Sequence, residues 1–155
     1  MTEPFVHCQF PQQWQEVLAP QGIGYRIKLL SQLLSRKFTE RLEPYGLTPF
    51  HWVVLCCLWQ EDGLPTSMLG ERLQQVGGTL TGVLDRMEQR NLIQRQRDPD
   101  DRRIWRIWLT EEGRQLKYQL PPIVLELKEQ TFKGFSTTEQ QQFSDWLDRA
   151  ISNIT

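Results

Sequence analysis

The chain has 155 residues, a hydrophobic fraction of 39% and a formal net charge of −1 at pH 7. That length fits one domain, or one domain with a dimerisation extension, and six Trp and seven Phe can form a sizeable core. No apolar run approaches the roughly 20 residues that span a bilayer, and the N-terminus lacks the pattern of a signal peptide. We therefore expect a folded cytoplasmic protein with no membrane partner.

The cysteines and histidines give no sign of a metal site or of catalysis. Cys8, Cys56 and Cys57 are an odd number without the spacing of a disulfide framework, which suits a reducing compartment. We interpret Cys56 and Cys57 as small buried hydrophobes, and the sequence leaves a redox role of any of the three open. No zinc spacing, phosphate loop or nucleophile–base pairing is present. We expect neither an enzyme nor a protein with a metal or cofactor.

In chain order, the first predicted elements are an arm and two helices. Three prolines limit any helix in residues 1–21, which we expect to be an irregular arm. Residues 22–42 have the stripe of an amphipathic helix, with apolar side chains at three- and four-residue steps: Ile23, Ile27, Leu30, Leu34 and Phe38. Thr48-Pro49 then combines a capping hydroxyl with a proline suited to the first helical position. The segment 50–60 is apolar nearly all round and predicts a buried helix.

A helix-turn-helix and a β-hairpin follow. Pro65-Thr66 opens a short helix, and residues 75–78 predict a tight turn before a further helix from about Thr79 to Arg90. That second helix would bury Leu80, Val83, Leu84 and Met87. From Leu92 to Leu109, β-branched and aromatic residues alternate with polar ones around Asp98-Pro99-Asp100, which is the pattern of a hairpin.

Two helices complete the chain. A long helix is predicted from Thr110 to about Lys133, and Pro121-Pro122 must kink or break it. Residues 136–139 read as a capping box before a last amphipathic helix.

This order predicts a mainly α fold, a winged helix-turn-helix with flanking N- and C-terminal helices. Residues 48–109 would form the DNA-binding lobe. Residues 22–47 and 110–155 would form a dimerisation region, because these helices carry more apolar surface than a winged helix needs.

Arginine is concentrated where the hairpin is predicted. Residues 86–106 carry seven arginines and four acidic residues, a local charge of +3 in a chain whose sum is −1. All the basic residues of this segment are Arg, the side chain best suited to phosphate forks and narrow grooves. The distribution favours double-stranded DNA as a partner, although the acidic residues dilute the patch.

The run D-R-M-E-Q-R-N-L-I-Q-R-Q-R-D-P-D-D-R-R-I-W-R-I-W-L-T-E-E-G, residues 85–113, resembles the MarR (multiple-antibiotic-resistance regulator) family of bacterial transcription factors. There it would run from the recognition helix through the wing into the next helix, and the resemblance covers about residues 22–153. Within the family, V-G-G-T-L-T-G-V-L-D-R-M-E is similar to the branch that senses organic hydroperoxides. That branch's sensing cysteine aligns with Gly24, so the resemblance does not carry over the peroxide-sensing thiol.

The resemblance implies a homodimer on a pseudo-palindromic operator, with the helix from Thr79 in a major groove and the wing in the flanking minor groove. It identifies Arg103 as the wing-tip arginine, which a narrow minor groove attracts. Asp101, two residues earlier and on the same strand face, would orient Arg103 by charge-assisted hydrogen bonds. The alternative is a solvated turn held by local ion pairs.

Other candidate DNA contacts lie on the recognition helix and along the hairpin. Thr79 and Thr81 would face base edges, or Thr79 would only cap the helix. Arg86 matches a family position that contacts phosphate, with a surface ion pair to Asp85 or Glu88 as the alternative. Arg90 is a second candidate for a phosphate contact. Four hairpin arginines are phosphate or cross-strand partners that the sequence does not rank: Arg95, Arg97, Arg102 and Arg106.

A ligand pocket is implied by the same resemblance. Tyr25, His51 and Trp52 fall where family members bind effectors, and aromatic walls with one polar group suit a small aromatic or acidic effector. Packing in the core or at a dimer interface is the alternative. The sequence does not show whether a ligand or a redox signal modulates the protein, or whether the output is repression or activation.

A second hypothesis is a winged helix retained as a protein-interaction module without sequence-specific DNA binding. Gly78 and Gly82 depart from the Ser and Arg common at those family positions, and the net charge is modest. If the protein does bind DNA, fewer side chains there would shift the readout towards DNA shape.

Overall fold

The computed structural model describes residues 11–74 and 78–155, which divide into two compact units at Gly46 and Leu47. The N-terminal unit contains α1 (Gln12–Gln15), α2 (Ile23–Leu42) and a 3₁₀ turn (Glu43–Tyr45). The C-terminal unit contains α3 (Pro49–Gln60), β1 (Leu64–Pro65), α4 (Thr66–Arg72), α5 (Gly78–Gln89), β2 (Ile93–Arg97), β3 (Trp105–Leu109), α6 (Glu111–Gln115), α7 (Leu120–Thr131) and α8 (Thr137–Ser152). The predicted mainly α winged helix is confirmed.

The N-terminal unit is built around α2, whose predicted bounds are nearly those observed. Its last residue, Leu42, is fully buried, and the chain then turns through Gly46 in the left-handed region at φ 62°. Two members of the predicted stripe, Ile23 and Ile27, are exposed, and the other three are half-buried. Apolar side chains beside the stripe are exposed as well: Tyr25, Leu29 and Leu33. One turn of helix, α1, interrupts the predicted irregular arm, whose residues 1–10 lie outside the described ranges.

The start of α3 follows the local sequence closely. Thr48 Oγ1 accepts from the His51 N–H at 3.3 Å, and His51 Nδ1 accepts from the Thr48 N–H at 3.1 Å, so the two residues form a reciprocal cap. The predicted all-round burial of this helix is wrong. His51, Val54, Leu55 and Leu58 are buried, but Val53 is exposed and both cysteines are half-buried. Apolar composition alone does not determine which face neighbouring elements cover.

The three strands form an antiparallel sheet in the order β1-β3-β2. In the predicted hairpin, Ile93 pairs with Leu109 and Arg97 with Trp105. The two-residue β1, which pairs Leu64 with Ile107, is too short to give a sequence pattern. The core of the C-terminal unit takes one face of α5 and the base of the hairpin, and its fully buried side chains include Leu55, Leu58, Leu69, Leu84, Met87, Ile93 and Ile107.

The predicted long helix after the hairpin is divided. It consists of α6, a 3₁₀ turn (Leu116–Tyr118) and α7. The break precedes Pro121-Pro122 because proline is accepted in the first turn of a helix, where its missing N–H has no intrahelical partner. Gly113 on α6 permits a close approach, since a Cβ there would lie 2.2 Å from the Leu92 carbonyl oxygen.

The last helix, α8, begins as predicted. Ser136 Oγ accepts from the Glu139 N–H, and Glu139 Oε2 accepts from the Ser136 N–H at 2.7 Å. Along this part of the chain several large apolar side chains stay exposed, among them Phe135, Trp146, Ile151 and Ile154. No helix within the described ranges is both long and apolar enough to cross a bilayer.

Candidate DNA interface

The helix α5 has one buried and one exposed face. Leu80, Val83, Leu84 and Met87 are buried, as predicted, and Thr79 and Thr81 are exposed. The helix begins at Gly78, so Thr79 lies in its first turn rather than at the capping position. A Cβ added at Gly82 would meet nothing within 4 Å, so no packing contact requires glycine there. The start of the exposed face of α5 therefore carries small side chains, which let a partner approach closely.

Beyond β2, the chain forms a tight turn around the carboxylate of Asp98. Its Oδ1 accepts from the N–H groups of Asp100 at 2.8 Å and Asp101 at 3.0 Å. Its Oδ2 accepts from Arg106 Nε, and Arg106 Nη1 donates to the Gly63 carbonyl at 2.9 Å. These backbone and guanidinium hydrogen bonds lower the pKa of Asp98. The sequence predicted the turn role of Asp98, because an Asp before Pro that accepts the N–H two residues on is a recognisable turn signal. It did not predict the bond from Arg106.

At the tip of the turn, Asp101 and Arg103 form a fork. Arg103 Nε donates to Asp101 Oδ1 at 3.0 Å and Nη2 to Oδ2 at 2.9 Å, while the Arg103 backbone N–H also donates to Oδ1. Hydrogen bonding to Arg103 lowers the pKa of Asp101, and the same contact raises the pKa of Arg103, so both stay charged. The predicted pairing is present, but in the turn between the strands and not on a strand face. The Arg103 side chain is 90% exposed, so the fork points the guanidinium into solvent.

The other hairpin arginines have different surroundings. Arg97 lies over the Trp105 ring, 3.8 Å from its centroid, and donates to the Arg102 carbonyl at 2.7 Å. Arg102 itself is exposed. Arg95 pairs with Asp85 at 2.5 Å and with Glu88 at 3.3 Å, both on α5.

The structure thus separates arginines that the sequence could not rank. Arg95 and Arg106 bind carboxylates within the lobe, and Arg97 crosses the hairpin. Arg102 and Arg103 are the two that the turn exposes.

On α5, Arg86 is exposed and its Nε donates to the Gly82 carbonyl at 3.2 Å. The neighbouring carboxylates of Asp85 and Glu88 form salt bridges with Arg95 instead of Arg86. Arg86 and Arg90 both lower the pKa of His51 on α3, after the larger effect of burial. The phosphate roles of Arg86 and Arg90 remain predictions.

The predicted ligand-pocket residues belong to different units. Tyr25 lies on α2 and is 39% exposed, whereas His51 and Trp52 lie on α3. His51 is buried, and its Nε2 has no hydrogen-bond partner among the described residues. The Trp52 ring meets the Trp59 ring edge-on at a centroid distance of 5.6 Å. The pocket itself stays a prediction.

The described cysteines lie in surroundings that disfavour the thiolate. Burial, with a smaller effect of Cys57, raises the pKa of Cys56 to about 11, and burial raises that of Cys57 as well. Cys8 lies outside the described residues. Within the described ranges, no cluster of three or more His, Cys, Asp or Glu is arranged to hold a metal ion.

Known proteins are similar to this chain in sequence and in fold. The sequence model of the MarR family matches residues 47–105. The HTH-type transcriptional regulator SarZ of Staphylococcus epidermidis is 31% identical over 111 residues, 72% of each chain. The organic hydroperoxide resistance transcriptional regulator of Bacillus subtilis is 35% identical over 104 residues, 65% of this chain and 71% of that one. The structure of Staphylococcus aureus MepR bound to DNA superimposes with a TM-score of 0.79 at 27% identity, covering 84% of this chain and 97% of MepR.

Proposed function

The chain belongs to the MarR family of transcriptional regulators, and on that premise we propose that it binds a pseudo-palindromic operator as a homodimer. Each subunit places α5 in a major groove and the wing, residues 92–109, in the flanking minor groove. Half-sites are then about one helical turn apart, roughly 34–36 Å. The observation that carries the proposal is the Asp101–Arg103 fork, which holds an exposed guanidinium at the tip of the wing.

The fork suits a minor-groove contact for a physical reason. Asp101 uses Nε and one Nη2 proton of Arg103, so both Nη1 protons and the second Nη2 proton are left for base edges or sugar oxygens. A side chain already held in one geometry loses less conformational freedom on binding. The narrow groove supplies the negative potential that attracts the guanidinium.

The remaining contacts of the lobe follow from exposure. Thr79 and Thr81 would reach base edges from the open face of α5. Arg86, Arg97 and Arg102 would lie against phosphates on either side of the groove, where they add affinity without reading sequence. With glycine at position 82, the shape of the DNA carries part of the specificity.

Selection of bound DNA from a random pool tests this proposal. We expect an inverted repeat with half-site centres about 10–10.5 base pairs apart, and binding that weakens steeply as salt rises. A selected pool without an inverted repeat, together with salt-insensitive or absent binding, would contradict it and favour a protein-interaction module.

Modulation by a small aromatic or acidic effector is the second part of the proposal. Because His51 Nδ1 accepts from Thr48, the proton of neutral His51 is on Nε2, a buried donor without a described partner. Arg86 and Arg90 lie near enough to lower the pKa of His51, so the surroundings favour an anion. Trp52, which follows His51 on α3, supplies aromatic surface. An effector would act by favouring one of two states of the dimer.

The effector can be sought by measuring operator affinity with benzoate and other aromatic carboxylates, and separately with an organic hydroperoxide. Weaker DNA binding with a carboxylate, lost in His51→Gln, is the expected result. If only the hydroperoxide weakened DNA binding, the proposed carboxylate effector would be wrong and a redox signal would be indicated instead.

A further inference from the structure

One ion-pair cluster joins the wing to the recognition helix. Arg95 lies on β2, and its guanidinium binds two carboxylates of α5: Nη2 to Asp85 Oδ1 at 2.5 Å, and Nη1 to Glu88 Oε2 at 3.3 Å. Asp85 and Glu88 are three residues apart, which places them side by side on one face of the helix. The Arg95 side chain is 23% exposed, so it is partly shielded from solvent in this position.

The backbone of Arg95 takes part in the same cluster. The strand β2 is at the edge of the sheet, with β3 on one side only, so N–H groups on its outer side need another partner. The Arg95 N–H donates to Glu88 Oε1 at 3.2 Å. Glu88 therefore holds both the main chain and the side chain of Arg95, which fixes the strand as well as the guanidinium.

A cavity of about 380 Å³ opens between α5 and the hairpin, lined by Thr66, Thr81, Leu84, Glu88, Arg95 and Trp105. Two hairpin side chains are fully buried: Ile93 at the base of β2 and Ile107, which pairs with Arg95. At this cavity, Arg95 connects β2 to α5 through Asp85 and Glu88.

We propose that Arg95 is a positioning residue for DNA binding rather than a DNA contact: its fork to Asp85 and Glu88 sets the separation of α5 and the wing tip. This inference rests on the proposed function, because that separation determines whether one lobe reaches a major groove and the flanking minor groove together. The fork also neutralises part of the acidic charge that Asp85 and Glu88 would otherwise present beside DNA.

The test compares two DNA duplexes, the selected operator and a version truncated so that the flanking minor groove reached by the wing is missing. Wild type should bind the full operator roughly 10- to 100-fold more tightly than the truncated one. In the triple variant Asp85→Asn/Glu88→Gln/Arg95→Gln, this ratio should fall to about threefold or less. The triple variant is less acidic by one charge. If the cluster acted through charge alone, this variant would bind at least as tightly as wild type and keep the preference for the full operator. That result would overturn the proposal.

A second arm separates positioning from direct phosphate contact. If Arg95 acts by placing the wing, Arg95→Gln should weaken binding in the wild-type background but change it less than about twofold when Arg103→Ala is already present. If Arg95 binds phosphate, Arg95→Gln should weaken binding equally when Arg103→Ala is present. The slope of log affinity against log salt concentration should then fall by about one phosphate contact. This result would contradict the proposal. Arg95→Lys keeps the charge without the two-pronged fork, so it should lose the operator preference as Arg95→Gln does.

Arg36→Gln is the matched control, since Arg36 forms an ion pair with Glu40 within α2 at 3.9 Å. It should keep the operator preference, and circular dichroism and thermal unfolding should show every variant folded. If wild type itself does not distinguish the two duplexes, the proposed function fails and this inference fails with it. If wild type distinguishes them and the triple variant does so equally, the Arg95 assignment alone is wrong.

Discussion

At the scale of single residues, the lobe depends on side chains that satisfy several backbone groups at once. Asp98 accepts from two N–H groups of the wing turn and from Arg106, so one carboxylate shapes the turn and ties it to β3. His51 does similar work at the start of α3, where Nδ1 accepts from the Thr48 N–H. Both roles depend on the charge state of the side chain, which makes them sensitive to pH.

Protonation of His51 should destabilise the fold. Burial, followed by Arg86 and Arg90, lowers its pKa in the folded chain, so between that lowered pKa and about 6.5 the unfolded chain binds more protons. The contribution of His51 to stability is therefore complete above about pH 6.5 and declines as the pH falls towards the folded-state pKa. Urea unfolding at pH 7.5 and pH 5.5 measures this decline.

His51→Gln is the matched variant, because Gln at this position can also accept from the N-cap N–H without titrating. It should be less sensitive to this change of pH than wild type. An equal decline in both proteins would assign the effect to other groups.

The residue scale also shows where sequence reasoning reaches its limit. The Asp101–Arg103 pairing was predictable because its members are two residues apart. The partners of Arg95 were not, since Asp85 and Glu88 reach it only after the hairpin folds back on α5. A count of arginines identifies a basic segment, but it does not tell which guanidinium is used inside the fold.

At the scale of elements, hydrophobic periodicity and capping chemistry determine most of the structure. The sequence predicted α2, α3, α5, α8 and the hairpin, because each has a clear stripe, cap or turn. It missed α1 and β1, which are four and two residues long and too short to give a pattern. The break between α6 and α7 was placed at the prolines themselves rather than just before them.

Two glycines should respond in opposite directions to alanine. Gly82 is in the middle of α5 with open space around it, so Gly82→Ala should stabilise the fold by about 0.5–1 kcal/mol. Gly113→Ala should destabilise it, because its Cβ would lie 2.2 Å from the Leu92 carbonyl oxygen. Thermal unfolding of the two variants measures both, and a destabilising Gly82→Ala would show that the helix surroundings are tighter than described.

At the scale of the whole molecule, both units expose large apolar side chains, whose hydration is unfavourable. On α2 they include Ile23, which is 74% exposed, and in the C-terminal unit they include Trp146 on α8 at 59% and Ile154, just after α8, at 87%. Patches of this kind mark protein–protein interfaces in soluble proteins. This exposure supports the proposed homodimer. The sequence predicted a dimerisation region in the same helices, because they carry more apolar surface than a winged helix needs.

Trp146→Glu should shift the protein from dimer to monomer, because it places a charge in the apolar surface of α8. Analytical ultracentrifugation over a range of concentrations measures the shift. Ser144→Glu adds the same charge at an exposed polar position of the helix and should leave the dimer intact. A monomeric wild type, or a Trp146→Glu variant that remains fully dimeric, would place the subunit contact elsewhere.

The central claim is that the wing tip touches DNA through Arg103, and the affinity of Arg103→Ala for the selected operator tests it most directly. Fluorescence anisotropy at fixed salt should show a loss of roughly 10- to 100-fold, with the fold unchanged by circular dichroism. Arg36→Ala, which removes the same charge from an exposed position on α2, should bind as wild type does. If Arg103→Ala bound the operator as tightly as wild type, the wing assignment would be wrong.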